Sequence, residues 1–127
     1  MSQDTISSVK EFQLTYGQPV LETPSISDKE VANLRVSLLQ EELNELAEAI
    51  DTNDIVGVLD ALTDLQYVLD GTYLSFGLHD LKQVAFAEVH SSNMSKLGED
   101  GKPIYRDDGK ILKGPNYFKP NLQQFFS

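Results

Sequence analysis

Apolar positions recur every three or four residues through the first three quarters of the chain, the spacing of amphipathic helices rather than of strands. Ile6, Val9, Phe12 and Tyr16 predict a short first helix from Asp4 to Tyr16, and Gly17, Pro19 and Pro24 predict an irregular connection behind it. Ser27, followed three residues later by Glu30, has the form of a capping box, so a second helix is expected from about Asp28 to Ile50. Asp51, Thr52 and Asn53 interrupt the pattern. Asp54 is then the expected N-cap of a third helix that runs to about Phe76, where Gly77 stops it. A fourth helix is predicted from Asp80 to Lys96 on the stripe Leu81, Val84, Ala85 and Val89, with Gly98 as its terminator. Beyond it, Ile104-Tyr105-Arg106 and Lys110-Ile111-Leu112 flank Asp107-Asp108-Gly109, the turn chemistry of a small β-hairpin. The expected fold is all-α, a bundle of three long helices plus one short N-terminal helix, with a C-terminal tail containing the hairpin. One domain is expected over 1–127, with its helical core at about 4–97 and its tail at about 98–127, because 127 residues with 40% hydrophobic content suffice for one helical core.

The polar positions inside these helices carry the candidate chemistry. On the second helix Glu41, Glu45 and Glu48 fall in the sector of Leu34 and Leu38. On the third, Asp60 and Asp64 share a side with Val56, Tyr67 and Gly71, while Val58, Leu62, Leu65 and Leu69 take the other. The acids thus continue apolar stripes, and no Lys or Arg lies between Arg35 and Lys82. Carboxylates crowded on stripes that face neighbouring helices repel one another and resist desolvation, so a positive group must offset them. A hard divalent cation suits all-oxygen ligands, and Mg²⁺ is usually held by a few carboxylates together with water and phosphates. Glu41, Glu42, Glu45, Asp60 and Asp64 form the candidate set, whereas Glu48, Asp51 and Asp54 read as a solvated acidic surface. Antiparallel helices joined by a short turn would oppose the two blocks, and Mg²⁺ held there neutralises phosphate oxygens and orients water. That arrangement suits phosphoanhydride hydrolysis.

Charge narrows the ligand. A formal charge of -10 and a pI near 4.4 argue against binding of polymeric nucleic acid, which requires a basic surface. With no cysteine there is no disulfide or thiolate site. The absence of a signal-peptide pattern and of an apolar run long enough for a bilayer predicts a cytoplasmic protein with no membrane partner. From Lys96 onward six basic residues stand against four acids, so a tail folding back over an acidic site is one way to supply countercharge. Its apolar residues Ile104, Ile111, Leu112, Phe118, Phe125 and Phe126 favour docking over disorder. Asn93 and Lys96, three apart near the end of the fourth helix, suit either a phosphate contact or a routine helix terminus. His90 reads as structural. Phe12, Tyr67, Phe76 and Phe86 sit at core spacings, with Tyr67 placed to wall a base pocket as well. Two apolar sides on helices two and three exceed what one small bundle covers, so a homodimer at least is expected.

These blocks together resemble a known superfamily. The Glu41-Glu42-Leu43-Asn44-Glu45 block, the Asp60-Ala61-Leu62-Thr63-Asp64-Leu65-Gln66-Tyr67-Val68 segment with Gly71-Thr72, the Glu88-Val89-His90-Ser91-Ser92-Asn93-Met94-Ser95-Lys96 segment, and Asp108-Gly109-Lys110 with Lys113-Gly114-Pro115 are similar to the all-α nucleoside triphosphate pyrophosphohydrolases. MazG and phosphoribosyl-ATP pyrophosphohydrolase belong there, and the likeness runs from Phe12 to Tyr117. Within the superfamily the chain resembles a group often labelled "HAD superfamily Cof-like", although no DxDx nucleophile motif of HAD phosphatases opens it. The resemblance implies Mg²⁺-dependent cleavage, with Mn²⁺ as a substitute, between the α and β phosphates of a nucleotide substrate, giving a monophosphate and pyrophosphate. Carried over by position, it implies Glu42, Glu45 and Asp64 as metal ligands and Glu41 as a further ligand or the residue that activates water. The second block is commonly Glu-x-x-Asp in the superfamily, and with Ala61 here Asp60 must take that role or the site has fewer ligands. The resemblance also tips Asn93 and Lys96 toward substrate binding and implies a dimer or a dimer of dimers. The alternative expectation is a non-catalytic helical dimer that binds nucleotide or a protein partner.

Overall fold

The structure, a computed structural model, describes residues 4–126, so the extreme positions of the expected 1–127 span lie outside it. The architecture is all-α. Four helices, α1 (Thr5–Thr15), α2 (Lys29–Asp51), α3 (Ile55–Ser75) and α4 (Lys82–Met94), are accompanied by 3-10 turns at His79–Leu81 and Gln123–Phe126, and no strand occurs among the described residues. The chain divides into two compact units, one ending at Asp80 and the other beginning at Leu81.

In the first unit α3 is the central element, with α2 packed along it and α1 against it. Each helix starts on an aspartate whose carboxylate accepts a backbone N–H of the first turn: Asp4 from Ile6, Asp28 from Val31, and Asp54 from Gly57. The expected cap of α2 is displaced by one residue. Asp28 holds that position, and the Ser27 hydroxyl instead donates to the Ser75 carbonyl at the far end of α3. All three helices end in the same way. Gly17, Asn53 and Gly77 take positive φ (69°, 55° and 67°), and the following residue donates its N–H back five positions, from Gln18 to Gln13, Asp54 to Ala49 and Leu78 to Tyr73. This is the Schellman arrangement, which uses a left-handed residue to satisfy the orphan carbonyls of a helix end.

The connection between α1 and α2 is stitched to the end of α3. Leu21 and Ser25 donate their N–H groups to the carbonyls of Leu74 and Phe76, each at 3.0 Å. The amide of buried Gln13 donates to the Pro19 carbonyl at 2.9 Å, and the Ser75 hydroxyl reaches the same carbonyl at 3.1 Å. Ile6, Val9 and Leu74 form the apolar core beneath, with Val20 and Tyr73 packed on it.

The second unit consists of α4 and the tail. The predicted fourth helix is shorter than expected: Leu81 caps no backbone group, so the chain enters by a 3-10 turn, and Ser95 ends the helix before Lys96. With 13 residues α4 is not a third long helix. The tail docks on it, because the Ser92 hydroxyl donates to the Phe118 carbonyl at 2.8 Å while the Phe118 N–H donates to the Ser95 hydroxyl at 3.1 Å. Asn121 also donates its N–H to the Glu88 carboxylate at 2.9 Å. The expected hairpin is reduced to a turn closed by one antiparallel bridge between Tyr105 and Ile111. Apart from half-buried Leu112 both arms are exposed, and an isolated two-stranded ribbon gains little. Phe86, expected in the core, is 72% exposed.

Candidate metal centre

The seam between α2 and α3 is built in layers. Ala49 lies against Gly57, where a Cβ would come within 3.1 Å of the alanine methyl. Seven residues earlier on α2 and seven later on α3, Glu42 meets Asp64. Another seven along, the Arg35 guanidinium presses on Gly71, leaving no room for a Cβ. Seven residues are two helical turns, so each layer repeats on the same face of both antiparallel rods. Ala61, one turn before Asp64 and 2% exposed, adds a further small side chain to this face. Glycine and alanine at these positions let the backbones approach closely, and close approach forces the acids of the middle layer together.

At that middle layer, ligand oxygens of Glu42, Glu45 and Asp64 all lie within 4.8 Å of one another. Glu42 and Asp64 are half-buried and Glu45 is exposed. Glu42 Oε2 is shut off from solvent and has no hydrogen-bond partner. Burial, a hydrogen bond with Glu45, and the charges of Glu45, Asp64 and Asp60 push the Glu42 carboxyl up from 4.5 to about 7. Two carboxyl groups can share a hydrogen bond only when one holds a proton. The group fits a divalent cation by its oxygen donors, its crowding and its orphaned oxygen.

The other predicted residues are placed less uniformly. Asp60 is exposed, close enough to act on Glu42 electrostatically, and it lines an acidic groove with Glu45, Glu48, Ala49, Thr52, Asp54 and Gly57. Glu41 is exposed and stands outside the converging group. The inward face of α2 is therefore rotated by one residue from the expected one. Arg35, not Leu34, points into the seam (6% against 45% exposed), and Glu42, not Glu41, faces Asp64. On α3 Val56 is 75% exposed, so it does not share the buried side with Gly71 and Asp64. The physical reason is that the buried line consists of small and polar residues, which apolar periodicity does not register. Tyr67 meets Phe12 edge-on at 5.5 Å, and Phe12 in turn meets Tyr16 at 4.7 Å, a half-exposed aromatic group on the α1 side of α3. Asn93 is exposed in the last turn of α4 and Lys96 is half-buried just beyond it, both in the second unit.

Arg35 is the residue that sequence reasoning missed. Its guanidinium is buried, its Nη2 donates to the Val68 carbonyl at 2.7 Å, and its Nε donates to the Thr72 hydroxyl at 3.2 Å. Burial pulls its pKa below the ordinary arginine value. The signal was available: Arg35, Glu42 and Ala49 repeat every seven residues, as do Gly57, Asp64 and Gly71.

The model of the phosphoribosyl-ATP pyrophosphohydrolase family matches residues 9–93, a span that contains both acidic blocks. The chain belongs to that family. Phosphoribosyl-ATP pyrophosphohydrolases are hydrolases that act on phosphoanhydrides, and they fall within the all-α NTP pyrophosphohydrolase superfamily expected from the motifs. A curated relative, an uncharacterized protein of Acanthamoeba polyphaga mimivirus, is 34% identical over 120 residues, covering 91% of this chain. This chain spans only 44% of that relative's length. Among solved structures, a protein of Exiguobacterium sp. 255-15 described as a candidate NTP pyrophosphohydrolase has the same fold, with a TM-score of 0.50 and 23% identity over 97% of this chain and 92% of the other.

Proposed function

We propose that this chain is a Mg²⁺-dependent nucleotide pyrophosphohydrolase that cleaves the α-β phosphoanhydride of a nucleoside triphosphate or related nucleotide, releasing a monophosphate and pyrophosphate in the cytoplasm. The observation that carries this reading is the convergence of Glu42, Glu45 and Asp64 within 4.8 Å on one helical seam. Those three carboxylates, with Asp60 beside them, would hold the ion. When bound, Mg²⁺, or Mn²⁺ in its place, supplies charge neutralisation for phosphate oxygens. Glu41, adjacent in sequence and open to solvent, is the candidate base that takes a proton from the attacking water. Tyr67, Asn93 and Lys96 are the candidate substrate contacts. Release of pyrophosphate from a panel of nucleotides with either metal, with products identified, tests the reading. No turnover of any member, or turnover indifferent to Glu42→Gln and Asp64→Asn, rejects it.

Ala61 favours a second reading. The small residue at this position leaves one carboxylate fewer than the related block carries, consistent with a non-catalytic helical dimer that binds nucleotide or a protein partner. That reading predicts metal-assisted nucleotide binding with no pyrophosphate formed.

The assembly is proposed as a homodimer or a dimer of dimers. Ile55, Val56, Leu59 and Leu62, which are 77%, 75%, 67% and 50% exposed, line an open apolar groove with Val58 on the first half of α3. Monomers seldom leave such a contiguous apolar stripe in water. Sedimentation velocity at micromolar concentration is expected to give a dimer or tetramer, and Leu59→Asp is expected to shift it toward monomer. A wild-type monomer counts against the proposal.

A further inference from the structure

Aromatic rings gather on the α1 side of α3, about one helical turn from the acids of the seam. Ile6, Val9 and Gln13 form the buried line of α1: the first two pack with Leu74, and the Gln13 amide reaches the Ser75 hydroxyl. Phe12 and Tyr16, neighbours at i and i+4, fall beside that line. Phe12 meets Tyr67, which on α3 stands between Gly71 and Asp64, so the aromatic pair lies toward the acidic part of the helix. The Phe12 and Tyr67 rings meet edge-on at 5.5 Å with their planes 83° apart, and the Tyr16 ring follows at 4.7 Å and 43°. Edge-on packing leaves ring faces uncovered. All three residues remain open to solvent, Phe12 by 41%, Tyr16 by 66% and Tyr67 by 40%, and all belong to the first compact unit.

Position and charge decide what such an open aromatic group takes. Asp64 and Tyr67 are three residues apart on α3, about 4.5 Å along the helix axis, and are therefore surface neighbours. In a nucleotide a single pentose separates the base from its first phosphate, so a base on these rings sets its phosphates beside the seam. Residues up to Asp80 carry 15 acids against 3 basic groups. Such a surface repels a bare anion but not an uncharged ring. Bases stack on aromatic side chains whatever their identity, because every base has a π-face. The hydroxyls of Tyr16 and Tyr67 both donate and accept, so they meet a keto group or an amino group alike. Ring area, rather than the pattern of exocyclic groups, is what these side chains can measure.

We propose that Phe12, Tyr16 and Tyr67 form a stacking platform for the base of a bound nucleotide and select that base by ring size. That the phosphates of the ligand reach Asp64 rests on the pyrophosphohydrolase reading above, but stacking of the base does not. The probe is 2-aminopurine riboside monophosphate, whose fluorescence is quenched when its base stacks, titrated into the full chain with Mg²⁺. Quenching by the wild type, with affinity weakened about tenfold in Tyr16→Leu and in Tyr67→Leu and retained in Tyr16→Phe and Tyr67→Phe, is the expected result. Leucine keeps an apolar side chain and removes the π-face, and phenylalanine keeps the π-face without the hydroxyl. Competition is expected to rank purine above pyrimidine monophosphates by about threefold, to hold adenosine and inosine monophosphates within about twofold of each other, and to place ribose 5-phosphate last. Should Tyr67→Leu fail to fold, Tyr16→Leu decides, because Tyr16 is the most exposed of the three and its melting temperature serves as a folding control. No quenching by the wild type, wild-type affinity in both leucine variants, or ribose 5-phosphate binding as tightly as the mononucleotides overturns the proposal. Ring-dependent binding without pyrophosphate release from any triphosphate would sink the enzymatic reading and leave the platform standing. Turnover with a KM indifferent to both leucine variants would sink the platform alone.

Discussion

The two halves of the α2/α3 seam treat buried charge in opposite ways. At one end Arg35 is taken out of water, and its donors are matched to the Val68 carbonyl and the Thr72 hydroxyl, with Gly71 leaving room for the guanidinium. Two turns away Glu42, Glu45 and Asp64 are pressed together, Glu42 Oε2 is buried without a hydrogen-bond partner, and crowding and burial push the Glu42 carboxyl up to about 7. Both layers come from the same seven-residue register and the same close helix approach. The contrast separates stability from function: a buried charge with its partners supplied is part of the scaffold, whereas one left unsatisfied awaits a ligand.

The largest expected effect falls on the unsatisfied half. Glu42→Gln and Asp64→Asn are expected to lower nucleotide turnover by more than about 100-fold, beyond the range typical of residues that only support metal ligands. Glu41→Gln is expected to lower kcat by about 100-fold, the low end for a general base, while metal affinity measured by calorimetry stays unchanged. Equal losses of metal affinity in all three variants would make Glu41 a ligand instead.

On the satisfied half the expected effect is on folding. Gly71→Ala drives a methyl into Gln13 and Arg35, and overpacking of this kind costs about 1–3 kcal/mol. A drop in melting temperature of several degrees, with turnover per folded molecule preserved, is the outcome to look for. Loss of turnover at full stability would erase the division between the halves.

A smaller effect concerns pH. The Glu42 carboxyl sits at about 7 in the folded chain against 4.5 ordinarily, so between those values the folded chain binds a proton that the unfolded chain has lost. The associated stability is complete below pH 4.5 and disappears as pH rises through about 7. Metal-free protein is therefore expected to lose melting temperature across that window. Glu42→Gln is expected to flatten this contribution. A wild-type curve that rises instead would contradict the geometry of the cluster. Least affected is Glu48→Gln, on the exposed rim of the acidic groove, where stability is expected to change by less than about 0.5 kcal/mol in thermal melts.

Much of the fold was legible because helix punctuation is local. Asp54 as a cap, Gly77 as a stop and the interruption at Asp51–Asn53 act through hydrogen bonds spanning a few residues, and all three fell where expected. The Ser27 and Glu30 pattern misled for a related reason: Asp28 lies in the same local window, and only the distant Ser75 carbonyl decides that Ser27 serves elsewhere. At the candidate site, the acidic blocks were visible as composition and the resemblance implied Glu42, Glu45 and Asp64, but apolar periodicity pointed to the sector of Glu41 instead. Leu34 and Leu38 suggested one sector, and the true seam follows Ala49, Gly57, Ala61 and Gly71, side chains too small to register in a hydrophobic stripe.

By itself, then, the sequence determined where helices begin and end, that the middle of the chain carries acids without basic neighbours, and that these resemble a pyrophosphohydrolase motif. Only the tertiary structure decided how closely Glu42, Glu45 and Asp64 converge, that Arg35 locks the far end of their seam, and that Gly114 presses the tail onto the end of α4. The reason is range. Capping and charge count are properties of short segments, whereas convergence depends on how closely two backbones approach, and small residues on both rods set that distance together.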